Sequence, residues 1–377
     1  MKIINILEES IKLSHLITPD IKKIGNLFKE SGHEIRIVGG AVRDAVLGKE
    51  PKDIDLTTTA TPDEMVAIAQ KHDIKYIETG LQHGTITMVI NGEPYEITTL
   101  RIDKETDGRH AQVEWTRSFK EDAARRDLTF NAMSVDMNGN LHDYFGGVKD
   151  LKSGKAKFVG DTTQRIEEDY LRILRYFRFL GRQSNPARDN DDLSKIKDAA
   201  KGLEKISGER IWSELSKIIT GKNVSEVLDQ MRVSGVLEKI GIDKNSFSDA
   251  ERTANMNAEA VTVLCHLLKN EYGFMEVIKR YKLSNEEKKL GIFVLSNSDV
   301  DLSNVWKKML VLDKQSPKHL SELALYFHDS TLANEILSYT LPEFNLTGDD
   351  LINQGFKPGP ELGKELRRRK EEWFKSL

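Results

Sequence analysis

Strand-like and helix-like patterns are segregated along this chain, and that segregation restricts its architecture more than any other feature. Strand signals, meaning short apolar runs or alternation bounded by turn residues, occur only before about residue 100. From about residue 161 onward apolar residues recur at three and four, and no strand pattern interrupts them. The pattern predicts an α+β chain, a small α/β head followed by an all-helical remainder. At 377 residues the chain is too long for one hydrophobic core, so two or more domains are expected. No internal repeat or low-complexity segment is present.

Residues 3–30 carry Ile3, Ile6, Leu7 and Ile11, then Ile21, Ile24, Leu27 and Phe28, the spacing of one or two helices. Ile35-Arg36-Ile37-Val38 is a short apolar run ending at Gly39-Gly40, a strand entering a tight turn, and 41–47 continues as a helix. Asp53-Ile54-Asp55-Leu56 alternates as a half-buried strand does. Thr61-Pro62-Asp63-Glu64 has helix-start chemistry, for a helix running to about Lys71. Strands are expected again at 85–90 and 95–100, joined by a four-residue hairpin loop that holds Asn91-Gly92. Residues 101–118 are polar and turn-rich, with Asp107-Gly108 in the middle, and are expected to form a mobile loop.

No apolar run reaches the roughly 18 residues of a membrane span. The N-terminus, with Glu8 and Glu9, lacks the layout of a secretory signal. The single cysteine, Cys265, cannot form an intrachain disulfide and fits a reducing, cytoplasmic setting. The net charge of −4 argues against a basic surface overall. Basic stripes remain between Arg165 and Arg182 and at Arg367-Arg368-Arg369-Lys370, where RNA phosphates could be held.

Asp53 and Asp55, two apart on the expected strand, place both carboxylates on one face. Carboxylates so close repel each other unless a cation sits between them. Such oxygen donors suit Mg2+, which completes its shell with water and substrate phosphates. Alone, an Asp-x-Asp pair is usually a solvated strand face. Here Val38-Gly39-Gly40-Ala41-Val42-Arg43-Asp44 stands just upstream. A Gly-Gly turn lets backbone N–H groups approach a polyphosphate, the following helix start favours negative charge, and Arg43 offers a planar guanidinium. Phosphate cradle and metal carboxylates together are what phosphoryl transfer needs, since that reaction depends on positioning and charge neutralisation.

These residues resemble the first motif of the class II tRNA nucleotidyltransferases and their close relatives, the bacterial poly(A) polymerases. The resemblance continues in order. Arg125-Arg126-Asp127-Leu128-Thr129-Phe130-Asn131-Ala132 resembles the second motif, which binds ribose and phosphates. Asp143-x-x-x-Gly147-x-x-Asp150 resembles the hinge between head and neck, Glu168-Asp169-x-x-Arg172 the nucleotide-templating motif, and Gly208-Glu209-Arg210-x-x-x-Glu214 the neck-supporting motif. Leu346-Thr347-Gly348-x-Asp350-Leu351 and Pro358-Gly359-Pro360-x-Leu362-Gly363 resemble the family's tail. The resemblance implies a small mixed-sheet, polymerase-beta-like nucleotidyltransferase head and a helical neck, body and tail. The expected divisions are 1–155 for the head with its N-terminal helical segment, 156–222 for the neck, and 223–377 for the tRNA-binding body and tail. It further implies Mg2+ as cofactor, CTP and ATP as substrates, and the tRNA 3′ end and acceptor arm as partner. By the same resemblance Asp53 and Asp55 would be catalytic and hold the metals. Gly39, Gly40 and Arg43 would bind triphosphate, Arg126, Asp127 and Asn131 would contact the nucleotide, and Asp169 and Arg172 would read the base with Arg175 and Arg178 nearby.

The chemistry of base reading follows from the residues. Glu168 to Phe179 is expected to be helical, with Asp169 and Arg172 adjoining on one face and Leu171, Leu174 and Phe177 facing the core. Cytosine and adenine both present an amino donor beside a ring-nitrogen acceptor, which a carboxylate and a guanidinium match. Uracil and guanine reverse that pattern and leave desolvated charge unpaired. The bland alternative is a surface ion pair between the two side chains. Arg175 and Arg178 drift around the helix at steps of three, so phosphate or acceptor contacts suit Arg178 better than the base.

Other features are weaker. Glu96 is a candidate third carboxylate beside the Asp pair, or a salt-bridged strand residue. Residues 101–118, with Arg101, Asp103 and Arg109, resemble the family's flexible loop, implicated in the switch from C to A addition, although Leu100 and His110 depart from the usual pattern. His328-Asp329 resembles the metal pair of phosphohydrolases, but His142 and His266 complete no metal spacing. His83-Gly84 reads as a structural turn. The leading expectation is CCA addition to tRNA, with a poly(A) polymerase as the nearest competitor and CC-only or A-only enzymes behind it. A non-catalytic RNA-binding protein would tolerate a broken Asp pair, and here the pair is intact.

Overall fold

The first long helix, α1 (Pro19–Glu30), begins where the Thr18 hydroxyl accepts the Ile21 N–H at 3.3 Å and a proline takes the first position. Ile21, Ile24, Leu27 and Phe28 form its buried stripe. This computed structural model describes residues 11–51, 53–106, 111–242, 246–268 and 270–376, so the expected helix positions Ile3, Ile6 and Leu7 lie outside the described residues.

The head follows as β1 (Ile35–Val38), α2 (Gly40–Val46), β2 (Asp55–Thr58), α3 (Pro62–Lys71), β3 (Tyr76–Gly80), β4 (Thr85–Ile90) and β5 (Glu93–Thr99). Then come β6 (Arg101–Thr106), β7 (Ala111–Trp115), α4 (Phe119–Ala124), β8 (Ser134–Val135), β9 (Leu141–His142) and α5 (Gly147–Lys152). Seven of these strands form one sheet in the order β3-β4-β5-β2-β1-β8-β9. It is mixed, because β2 and β5 run parallel while the other neighbours are antiparallel. The parallel pair is joined through α3, which Thr61 and Glu64 start with a reciprocal capping box.

Four expectations need correction. The strand at the Asp pair begins at Asp55, so Asp53 precedes it and the period-two argument does not apply to the pair. Ile90 pairs with Glu93, so the β4–β5 turn has two residues, Asn91 and Gly92, instead of four. Residues 101–118 are not a bare loop, since β6 and β7 pair as a separate two-stranded hairpin. Their strands are polar and lack the alternation of a half-buried strand. Arg109 and His110 lie outside the described residues. The helix expected over 168–179 is interrupted at Asp169, whose backbone is extended (φ −158°, ψ 106°), giving α6 (Thr162–Glu168) and α7 (Leu171–Leu180). β3, β8 and β9 had no sequence signal, being short, edge-placed or both.

The chain divides into two compact units, Met1–Ile206 with Gln230–Ile240, and Ser207–Asp229 with Gly241–Leu377. In the first, α7 buries Leu171, Leu174 and Phe177, as its period predicts, together with Tyr176, stacked 5.5 Å from Phe158. The second is helical throughout its described residues, from the helix Gly208–Ile219 to the helix Pro360–Lys375. In that last helix the basic cluster is ion-paired: Arg367 with Glu371, Arg368 with Glu365, and Arg369 with Glu365. Cys265 is buried and unpaired in a disulfide. No described helix is long and apolar enough to cross a membrane.

Candidate active site

The register of β1 against β2 sets Val38 opposite Asp55, and Gly39 therefore turns beside that carboxylate. Gly39 has φ +71°, a conformation that side chains rarely adopt, and a Cβ there would lie 3.7 Å from Arg126 Nη1 and 3.9 Å from Asp55 Oδ2. The glycine thus serves both the turn and the approach. Burial pushes the Asp55 carboxyl above its ordinary pKa; Arg126 opposes this, and the charge of Asp53 adds to it. The Asp pair is therefore electrostatically coupled even though only Asp55 is in the strand. Continuing the parallel register of Leu56 with Ile97 one residue back sets Glu96 next to Asp55. Among the described residues no group of three or more His, Cys, Asp or Glu could hold a metal. Two oxygen donors short of a full cage match a divalent cation that draws its remaining ligands from water and substrate phosphates.

A cleft of about 450 Å³ opens beside Gly39 and Gly40. Five guanidiniums line it, those of Arg101, Arg125, Arg126, Arg172 and Arg175. Asp127, Asn131, Asp169 and Phe179 complete the lining. The cleft thus joins the Gly-Gly turn, Arg101, the segment from Arg125 to Asn131 and the stretch around the α6–α7 break, four pieces distant in sequence.

A buried polar network fixes these pieces. Asn131 Oδ1 accepts Arg43 Nη1 at 3.2 Å, while its amide donates to Asp127 Oδ1 at 3.1 Å. Asp127 Oδ2 in turn accepts Arg175 Nε at 2.7 Å. Burial alone would raise the Asp127 carboxyl, but the Arg175 charge and the Asn131 hydrogen bond hold it below the usual carboxylate range. The chain of contacts from Arg43 through Asn131 and Asp127 to Arg175 ties α2 to α7. Arg43 is itself buried and also bonds Asp44 at 2.8 Å; it does not line the cleft.

At the break, Asp169 Oδ1 accepts the Leu171 N–H at 3.1 Å, and its carbonyl accepts the Arg172 N–H at 2.9 Å. A short carboxylate competing with the helix ladder is the local reason that α6 stops there. Because of the break, Asp169 and Arg172 do not adjoin on the face of one continuous helix as expected. Arg172 Nη1 donates to Glu168 Oε2 at 2.6 Å and to the Arg165 carbonyl at 3.1 Å, and Nη2 donates to the Arg125 carbonyl at 3.3 Å. Asp169 and Arg172 still both line the cleft. Arg178 does not, and its guanidinium lies 4.4 Å from the centre of the Phe179 ring. That ring is also approached by Arg43, Arg175 and Arg182 at 5.2, 5.6 and 5.2 Å.

Asp122, Arg125 and Phe179 were not singled out in the sequence. The signal for Asp122 was present, since it stands three and four residues before Arg125 and Arg126, the spacing of helical neighbours. The segment from Asp143 to Asp150 is held by two carboxylates. Asp143 accepts the N–H groups of Gly147 and Val148, both at 2.9 Å, and Asp150 accepts the Thr129 hydroxyl at 2.6 Å. Asp329 caps the helix Ser330–Ser338, and His328 Nε2 lies 3.3 Å from the Asp249 carbonyl oxygen.

Residues 35–157 match the family described as the poly A polymerase head domain, and residues 189–241 match the probable RNA and SrmB-binding site of polymerase A. The CCA tRNA nucleotidyltransferase 1, mitochondrial, of Mus musculus is 41% identical, with 98% of this chain and 89% of that protein covered. The CCA-adding enzyme of Ligilactobacillus salivarius (strain UCC118) is 30% identical, with 94% and 90% covered. The crystal structure of the Bacillus stearothermophilus CCA-adding enzyme in complex with CTP shares the fold at a TM-score of 0.81 and 24% identity, covering 97% of this chain and 94% of that one. With the motifs in order and the Asp pair, Gly-Gly turn and arginine-lined cleft gathered in one unit, the chain belongs to the family of CCA tRNA nucleotidyltransferases, whose head domain is shared with poly(A) polymerases.

Proposed function

We propose that this chain adds CCA to the 3′ end of tRNA without a nucleic-acid template, using CTP and ATP and releasing pyrophosphate. The observation that carries the reading is a single cleft in which Asp169 and Arg172 stand among phosphate-binding guanidiniums, next to Gly39 and the Asp53/Asp55 pair. The names of the relatives support it over nearly the whole chain.

The 3′ hydroxyl attacks the α-phosphorus of a bound nucleotide, a P–O bond forms to the RNA, and the bond to the β-phosphate oxygen breaks. Asp53 and Asp55 would hold a divalent cation, Mg2+ in this reading, which supplies activation of the hydroxyl and neutralisation of developing charge. Arg126, beside Asp55 and Gly39, is placed to receive the triphosphate, as are Gly39 and Gly40 through their backbone. Asp127, Asn131, Arg43 and Arg175 act in our reading as the frame that keeps nucleotide and base-reading groups in register, because their polar atoms are engaged with each other. Asp169 accepts from the exocyclic amino group of C or A and Arg172 donates to the ring nitrogen. Arg178, outside the cleft lining, is assigned to acceptor phosphate. We assign 1–155 to the head, 156–222 to the neck and 223–377 to the body and tail that grip tRNA; the RNA-binding match at 189–241 begins in the neck and reaches the start of the body, which supports RNA contact at that junction. The buried free Cys265 supports a reducing compartment, and we place the enzyme in the cytoplasm.

The test is addition to a tRNA transcript ending at the discriminator base. CTP alone should add two C residues, and CTP with ATP should add one further A. Long A tracts from ATP alone, on tRNA and unrelated RNA alike, would instead place the chain with the poly(A) polymerases. Exchanging both Asp53 and Asp55 for Ala should abolish addition while tRNA binding persists; addition that survives removes the two-carboxylate site.

A further inference from the structure

We infer that Asp122 is a positioning residue of the nucleotide cleft, a carboxylate that ties the root of the β6–β7 hairpin to the guanidiniums of Arg125 and Arg126. The inference rests on the nucleotide-binding reading of the cleft and extends it to the hairpin.

Asp122 lies on α4 and is 2% exposed. Its Oδ1 accepts the backbone N–H of Arg101 at 3.3 Å and Nε of Arg125 at 2.9 Å; its Oδ2 accepts Nη2 of Arg126 at 3.1 Å. Both oxygens are therefore in use, and the partners come from the first residue of β6 and from two successive residues after α4. Each partner leads to a different part of the cleft. Arg101 lines it with its own side chain. Arg125 lines it too, and its carbonyl accepts Nη2 of Arg172, the base-reading arginine, at 3.3 Å. Arg126 donates to the Asn131 carbonyl at 3.3 Å and acts electrostatically on Asp55.

The chemistry requires a carboxylate. Guanidiniums are donors only, so an acceptor at each oxygen satisfies both forks at once. An amide of the same shape would turn an N–H group toward one of them, donor against donor. A nucleotide that orders Arg125 and Arg126 therefore also orders the hairpin root through Asp122, and, since coupling is reciprocal, releasing the root weakens nucleotide binding.

Two measurements test this on the full-length enzyme. The first is amide hydrogen exchange of residues 101–106, with and without saturating CTP. CTP should slow exchange in the wild type and leave it unslowed in Asp122→Asn. The second is steady-state kinetics, where Asp122→Asn should raise KM for both CTP and ATP about tenfold, with kcat changed less, and Asp122→Glu should restore part of the loss. A purely structural role predicts a lower Tm with KM unchanged in the folded protein, and that outcome overturns the inference. Should Asp122→Asn fail to fold, the wild type alone still decides: CTP bound with no protection of 101–106 defeats the coupling and leaves the cleft assignment standing. Failure of the wild type to bind CTP at all defeats the assignment and the coupling together.

Discussion

Arg172 derives its position from three acceptors, the Glu168 carboxylate and the carbonyls of Arg165 and Arg125. A long side chain with free rotors could not discriminate between bases; one clamped in this way can, because its donors are aimed before the nucleotide arrives. Arg172→Ala should therefore relax base selection more than it slows addition. Incorporation of UTP and GTP relative to CTP should rise by roughly ten- to a hundredfold, the scale of about 1–3 kcal/mol for a lost bidentate match. Selectivity unchanged in a competition assay would remove Arg172 from the templating role. Glu168 was visible in the sequence only as part of a motif, and its work as the clamp follows from i, i+4 spacing across the helix break, which no periodicity announces. Asp53 and Asp55 were legible because a carboxylate pair near a Gly-Gly turn is informative in any register. A shared strand face does not account for Asp53, which precedes the strand.

At the scale of elements, the hinge shows how close approach of backbones sets geometry. Gly147 starts α5 against the turn Thr129–Asn131; a Cβ would sit 2.6 Å from the Thr129 carbonyl oxygen and 2.7 Å from the Phe130 Cα. Backbone atoms cannot give way as a flexible side chain can, so Gly147→Ala should cost about 1–3 kcal/mol in urea unfolding. Because Asn131 ends that turn and Asp127 lies two residues before it, KM for nucleotides should rise in parallel. A variant with wild-type stability and kinetics would show that the approach is not constrained. Helices were the most legible elements, since α1, α3 and α7 carry buried stripes or caps that depend on their own residues. The polar hairpin β6–β7 and the two-residue strands β8 and β9 were hidden, because their pairing depends on partners and not on local alternation.

For the molecule as a whole, buried carboxylates of the first unit contribute to its response to acid. Asp127 is buried, yet Arg175 and Asn131 hold its pKa low, and Asp122 is likewise buried and held low by Arg125 and Arg126. The unfolded chain binds their protons more readily than the folded one. The stability they contribute is complete above the ordinary carboxyl pKa of about 4 and is lost as pH falls through the lowered values. Asp127→Asn should then be less stable than wild type by about 1–3 kcal/mol at pH 7, and the difference should shrink as pH drops below about 4. Urea unfolding across that range measures it; a pH-independent difference would mean that packing rather than charge is lost. Asp150 and Asp192, raised by burial, oppose this trend above pH 4 and do not enter the comparison of the two proteins.

Local period and capping were enough to read the α+β division and the helical remainder, and the family resemblance was enough to place each site residue in a motif. Tertiary structure alone decided which of those residues touch the cleft. Arg43 and Asn131 are separated by 88 positions and Arg125 and Arg172 by 47, yet each pair is joined by a hydrogen bond. It also decided that Asp122 stands at the centre of three contacts. Periodicity reports which way a side chain faces from its own element; where it ends up depends on sheet register and on the packing of elements far apart in the chain.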